Sequence, residues 1–250
     1  MWRNCQPNPR GSTRAHRRRL APALPLAFRH FHLTSVRTLH RLLYSLPLLL
    51  ACGGQPSAQT QTAPPPVSHP LAWLAGQRVV LTPVYRVREG DAMGWAAQIP
   101  RSRELLRALD SAIAGELAQR GLEKQWVYPP DLARSMRASP TYAVDPYALA
   151  VEPLRNPSVA QGGKIGDPLA TQLRTIIALH DSRLVLLPVE LRFDRDKSGQ
   201  GIAVVRAVLV DARIGDVRWV GEASSDPAPA FSRALLPNIA SHFADLITIR

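Results

Sequence analysis

Leu184-Val185-Leu186-Leu187-Pro188-Val189-Glu190-Leu191-Arg192-Phe193 is a run of mostly branched and aromatic side chains. Ten residues of this composition read as a β-strand with a buried core side. Asp194 to Gly201 is a polar turn after it. Two more strands follow, Ile202 to Val210 and Val217 to Ala223, joined as a hairpin about Ala212-Arg213-Ile214-Gly215-Asp216. In the last strand Val217, Trp219 and Gly221 alternate with Arg218 and Glu222, so one face turns to a core. Connections this short favour an antiparallel meander.

Upstream the pattern changes. Gln77-Arg78-Val79-Val80-Leu81-Thr82-Pro83-Val84-Tyr85-Arg86-Val87 is β-rich, and Pro83 predicts a bulge or an edge position. Ser102 is a candidate helix N-cap. Leu105, Leu106, Leu109, Ile113 and Leu117 then recur at helical spacing, and Gly121 ends the helix. Gln125-Trp126-Val127-Tyr128 is a short strand closed by Pro129-Pro130. From Asp131 to Gly166 the chain is punctuated by Pro140, Pro146, Pro153 and Pro157 and reads as an irregular insertion on the surface, with a helical turn or two over Leu132–Ala138. Asp167-Pro168 opens a helix whose apolar face is Leu169, Leu173, Ile176, Ile177 and His180. A final amphipathic helix runs from Phe231 to Ile247. The predicted order is β-α-β-α-β-β-β-α: an α/β (α+β) domain over residues 77–250, with a mixed sheet of about five strands and three main helices. Helices between the early strands favour parallel pairing there.

The other end of the chain is of a different kind. Leu42 to Ala51 is apolar, Arg37, His40 and Arg41 precede it, and Cys52-Gly53-Gly54 follows. Its core of about ten residues falls short of the roughly 20 needed to span a bilayer. A basic stretch, a brief apolar core and a small residue at the cut are the parts of a secretory signal peptide, here residues 36–51. Residues 52–76 lead on to the domain. From Gln55 to Pro70 they carry no Asp, Glu, Lys or Arg and are mainly Gln, Ser, Thr, Ala and Pro, so they read as a flexible tether. Residues 1–35 are arginine-rich without clean periodicity. A start placed too far upstream, with Val36 as the initiator, accounts for them best. A twin-arginine signal at Arg18-Arg19 and an organellar transit peptide are the alternatives.

The formal charge of +12 invites a nucleic-acid reading. Its distribution argues against one. All 19 acidic residues lie after Cys52, together with 22 of the 31 basic ones, so the chain beyond the cut has a net charge of only +3. No basic stripe interleaved with aromatics appears. The two cysteines are Cys5 and Cys52, so the domain itself holds no thiol for a disulfide, a metal or nucleophilic attack.

Residues for catalysis are few. His69, His180 and His242 share no metal-ligand spacing, so structural roles are expected, with His180 as a cation at a helix C-terminus. Ser111, His180 and Asp181 could form a hydrolase triad, but no Gly-x-Ser-x-Gly elbow accompanies them. Gln161-Gly162-Gly163-Lys164-Ile165-Gly166 before a helix has the look of a phosphate cradle without Walker spacing and reads as a flexible loop. Asp194, Asp196, Ser198 and Gly199 lack the closing glutamate of a calcium loop. Trp126, Trp219 and the tyrosines are expected as core or sheet anchors. No catalytic residue, metal or cofactor is predicted.

Two resemblances complete the reading. Leu49-Leu50-Ala51-Cys52 resembles a bacterial lipobox. That implies cleavage between Ala51 and Cys52, acylation (palmitate among the chains) of the Cys52 thiol, and attachment to membrane lipid. Gly53 in place of an aspartate implies the outer membrane, facing the periplasm. Val79-Val80-Leu81-Thr82-Pro83, the helix end over Leu109–Gly121, Leu179-His180-Asp181-Ser182-Arg183-Leu184-Val185-Leu186, and Arg213-Ile214-Gly215-Asp216-Val217-Arg218-Trp219-Val220-Gly221 resemble the envelope domain shared by the TolB amino-terminal region and the curli-secretion lipoprotein family. Related lipoproteins serve peptidoglycan synthesis and polysaccharide export. The resemblance implies a non-enzymatic domain that docks other envelope proteins in secretion, transport or wall assembly, with a homo-oligomer possible. A ring-forming export component and a tethered small-ligand binder or enzyme are the alternatives. A deep pocket with converging charged groups would favour the ligand binder.

Overall fold

The computed structural model describes residues 69–142 and 144–248. Its centre is β3 (Leu184–Arg195), the strand anticipated above, and it pairs on both sides. On one side lie β4 (Gly201–Asp211) and β5 (Asp216–Ser224), an antiparallel meander. On the other lie β1 (Val79–Leu81) and β2 (Trp126–Val127), both parallel. The sheet order is β2-β1-β3-β4-β5, the five-stranded mixed sheet of an α+β fold.

All three residues of β1 are buried, because it has a strand on each side and helices on both faces. Pro83 then ends the ladder, having no N–H to give. The chain rejoins β3 at Val87, where the Arg88 N–H donates to the Leu191 carbonyl at 2.8 Å and the Leu191 N–H to the Arg86 carbonyl at 2.9 Å. Between these contacts β3 bulges at Pro188/Glu190. The bulge reverses the phase of the strand. Leu184 and Leu186 face one core and Val185, Leu187 and Val189 the other; past it, Leu191 and Phe193 return to the first.

The first core lies under α1 (Ser102–Leu117) and α4 (Leu235–Asp245). Leu109, Ile113 and Leu117 meet Ile239, Phe243, Leu186 and Val205 there. Ser102 opens α1 as its first helical residue rather than its cap, with Arg101 before it. Beyond Leu117 the helix loosens into a wider turn and stops at Gly121, whose φ of 85° suits only glycine comfortably. α4 is shorter than the predicted 231–247. Phe231 stands outside it, in an aromatic trio with Trp95 and Phe193 at centroid distances of 5.6–6.1 Å.

The two cores correct two expectations. Residues 131–166 are not a surface insertion. Pro129–Ala138 is a full helix, α2, and Leu132 and Met136 from it, with Leu149, Val151 and Leu154, are buried against the sheet. α3 (Leu169–His180) adds Leu169, Leu173 and Ile176. There are therefore four α-helices among the described residues, not three. The second correction concerns the tether, expected to run to residue 76. Ala72–Gly76 forms a 3-10 turn, Leu71 and Leu74 are buried in the first core, and the Leu71 N–H donates to the Leu246 carbonyl at 2.9 Å. No described helix is long and apolar enough to cross a membrane.

Candidate functional site

The β1→β2 connection runs outward from β1 and the β2→β3 connection runs back across it to its other side, with α1 on one face and α2 and α3 on the other. In open sheets with parallel strands, such a reversal leaves a crevice at the carboxyl ends of the strands. A cleft of about 350 Å³ lies at this point. Pro83, Val84 and Tyr85 line it from the segment after β1, Asp145, Tyr147 and Ala148 from the loop after α2, and Arg103, Leu106, Arg107 and Asp110 from α1. The four α1 positions are spaced i, i+3, i+4, i+7, one stripe of a helix.

Asp110 is the unusual member. It is only 6% exposed, yet it sits among the apolar residues of α1. Its Oδ1 accepts the Val84 N–H at 2.8 Å, the donor that Pro83 displaces from the β ladder. Burial pushes its carboxyl up to about 7, against the opposing pull of the Val84 N–H and the Arg107 charge. The Tyr85 hydroxyl donates to the Pro146 carbonyl at 3.0 Å, and burial raises its phenol well above the usual range. Asp145 accepts the Tyr147 N–H at 2.9 Å, which fixes the loop. Burial also raises the Tyr147 phenol. Among the described residues the Arg103 and Arg107 guanidinium groups make no hydrogen bond or ion pair.

A larger cleft of about 520 Å³ lies between the 150–169 segment and β5. It holds the glycine-rich stretch read as a loose loop, which the structure instead pairs with β5. The Gly162 N–H donates to Val217 at 2.8 Å and the Ile165 N–H to Gly215 at 2.9 Å, so these amides are spent on the sheet and not on an anion.

The other sequence candidates are dispersed. Ala51 and Cys52, the predicted cleavage and acylation site, lie outside the described residues. The Ser111 hydroxyl donates to the Arg107 carbonyl at 2.9 Å, His180 Nε2 lies 2.8 Å from Ser135 Oγ, and Asp181 pairs with Arg78, so no triad forms. His180 also departs from the expected cation: burial first, then the Arg78 charge, lowers its pKa and favours the neutral ring. Asp196 spends its carboxylate on the Ser198 and Gln200 N–H groups, and Asp194 bonds Arg192. His69, assigned to the tether, bonds the Asp245 carbonyl through Nδ1. Trp126 is buried as an anchor, and Trp219 lies over Gly221, where even a methyl group would meet its ring. No group of three or more His, Cys, Asp or Glu among the described residues is placed to hold a metal.

Sequence reasoning missed Asp110, although a signal was present. It falls four residues after Leu106 and three before Ile113, an acid inside an apolar stripe.

No protein-family model and no curated protein matches the chain. Solved structures similar to it include the C-terminal domain of LpoB from Salmonella enterica, at 11% identity over 60% of this chain and 82% of that one, with a TM-score of 0.32. A PelC dodecamer from Paraburkholderia phytofirmans is 14% identical over 73% and 95%, with a TM-score of 0.35. LpoB from E. coli is 15% identical over 83% and 94%, with a TM-score of 0.31. At these levels no family is fixed for the chain, and the TolB and curli-secretion resemblance stays one of element order and short motifs.

Proposed function

We propose that this chain is a lipid-anchored protein of the bacterial envelope whose domain works in the periplasm by docking other envelope components, without catalysis of its own. The observation that carries this reading is the order of parts along the chain. Leu49-Leu50-Ala51-Cys52 offers a cleavage and acylation site, an uncharged stretch follows, and residues 69–142 and 144–248 form a packed domain. One acyl chain binds a membrane only weakly, whereas the several chains of a processed lipoprotein anchor firmly. The glycine after Cys52 supports the outer membrane as the destination.

Mass spectrometry of the protein taken from membranes tests this. The expected mature chain begins at Cys52 and carries acyl groups, and Cys52→Ser shifts the protein to the soluble fraction. Recovery of a chain that keeps residues 1–51 and stays membrane-bound after Cys52→Ser overturns the reading. In-cell crosslinking from exposed positions on the domain identifies the partner. Recovery of a processed lipoprotein that crosslinks to no envelope protein removes the docking role.

A further inference from the structure

The cleft at the carboxyl end of β1 holds opposite charges that do not meet. Asp110 is more than nine-tenths buried, lines the cleft, and has one backbone N–H as its hydrogen-bond partner and no ion pair among the described residues. Buried carboxylates are ordinarily matched by a cation or by several donors. One and two helical turns before Asp110 on the same stripe stand Arg107 and Arg103, two guanidinium groups without an ion-pair partner among the described residues. Asp145 shares the cleft, but its Oδ1 holds its own loop through the Tyr147 N–H. Helix geometry places successive members of the stripe about 5–6 Å apart at Cβ, a spacing that a molecule with two charged ends can bridge. Leu106, Val84 and the rings of Tyr85 and Tyr147 supply apolar walls, and a volume of about 350 Å³ suits a small ligand.

We infer that this cleft binds a small zwitterion of the α-amino-acid type, with the ligand's ammonium group on Asp110 and its carboxylate on Arg103 and Arg107. Such a ligand gives the buried carboxylate its cation and both guanidinium groups an anion, with bidentate geometry available to the latter. No residue lining the cleft belongs to the predicted anchor segment, so binding is expected whether or not Cys52 carries lipid.

Isothermal titration of the full-length chain in detergent with each of the twenty common L-amino acids tests the inference. At least one binds saturably at one per chain. Its amide, which keeps only the cation, and its N-acetyl form, which keeps only the anion, each bind at least tenfold more weakly. Asp110→Asn retains an oxygen for the Val84 N–H, so the fold is kept while ammonium binding drops at least tenfold; Arg103→Gln with Arg107→Gln gives a similar loss. Thermal melts confirm that both variants are folded. The charged and titratable groups facing the ligand are Asp110, Arg103 and Arg107 from α1, Tyr85 from the segment after β1, and Asp145 and Tyr147 from the loop after α2. Of these Asp110 titrates near neutrality, so affinity falls about tenfold for each pH unit below 7. No binding by any of the twenty, equal binding of the amide or the N-acetyl form, or binding unchanged by Asp110→Asn overturns the inference.

Discussion

Asp110 costs the fold something at neutral pH, and the sign can be worked out. Its folded-state pKa of about 7 lies above the ordinary 3.8, so the folded chain keeps its proton through a window in which the unfolded chain has lost it. Stability therefore falls as pH rises from about 4 to 7, by up to about 4 kcal/mol. Asp110→Asn keeps an acceptor for the Val84 N–H without the charge. Denaturant melts of the two proteins should coincide near pH 4, diverge up to about pH 7 and then run parallel, with the variant the more stable; a difference that is constant from about pH 4 to 7 refutes the assignment. Arg120 shows the opposite case, a buried charge that is fully answered. Its guanidinium bonds Asp245 Oδ1 at 2.7 Å and the Ser241 and Thr248 carbonyls at 3.0 Å each, tying the end of α1 to α4. Arg120→Ala strands those acceptors and should cost roughly 3 kcal/mol in urea unfolding.

At the scale of elements, the unexpected contributor is the 3-10 turn before β1. Leu74 is fully buried and Leu71 nearly so, although both follow a stretch with the composition of a linker. Leu74→Ala should lower unfolding free energy by 2–5 kcal/mol, about the range for a core leucine. A change below 0.5 kcal/mol would show that the turn is not part of the core. The strands and helices with an internal period were legible: β3 to β5 and α1 announced themselves by alternation or by i, i+3, i+4 spacing. α2 showed only as a helical turn or two over Leu132–Ala138, and the segment after it did not show at all. Leu132, Met136, Leu149, Val151 and Leu154 are separated by prolines and polar residues, and their burial is decided by the sheet they meet rather than by a local pattern. The same holds for the cleft. Its α1 stripe was readable, but the loop carrying Asp145 and Tyr147 comes to it through tertiary packing that no short-range signal encodes.

For the whole molecule, the boundary between the proposed anchor and the domain has a consequence that proteases can read. Residues 53–68 contain no lysine or arginine, and the first such residue after Cys52 is Arg78. Arg78 sits just before β1, bonded to the His180 carbonyl and paired with Asp181, behind a turn that Leu71 and Leu74 fix to the core. Cleavage needs a chain segment that can open locally, and packed, hydrogen-bonded backbone opens rarely. Trypsin added to intact membranes should therefore leave the domain attached. Elastase, which cuts after small residues such as Ala58 and Val67, should release it as a soluble fragment. Mass spectrometry of that fragment should find an amino terminus between residues 54 and 69 and an uncut chain through the 131–166 region, because that region covers the second core. If trypsin frees the domain at Arg78, the turn before β1 is not part of the fold. If elastase cuts first between 139 and 166, the layer built by Leu149, Val151 and Leu154 is not closed. Release by elastase alone, with both leucines of the turn retained, would fix the end of the tether at His69, where its imidazole meets the end of α4.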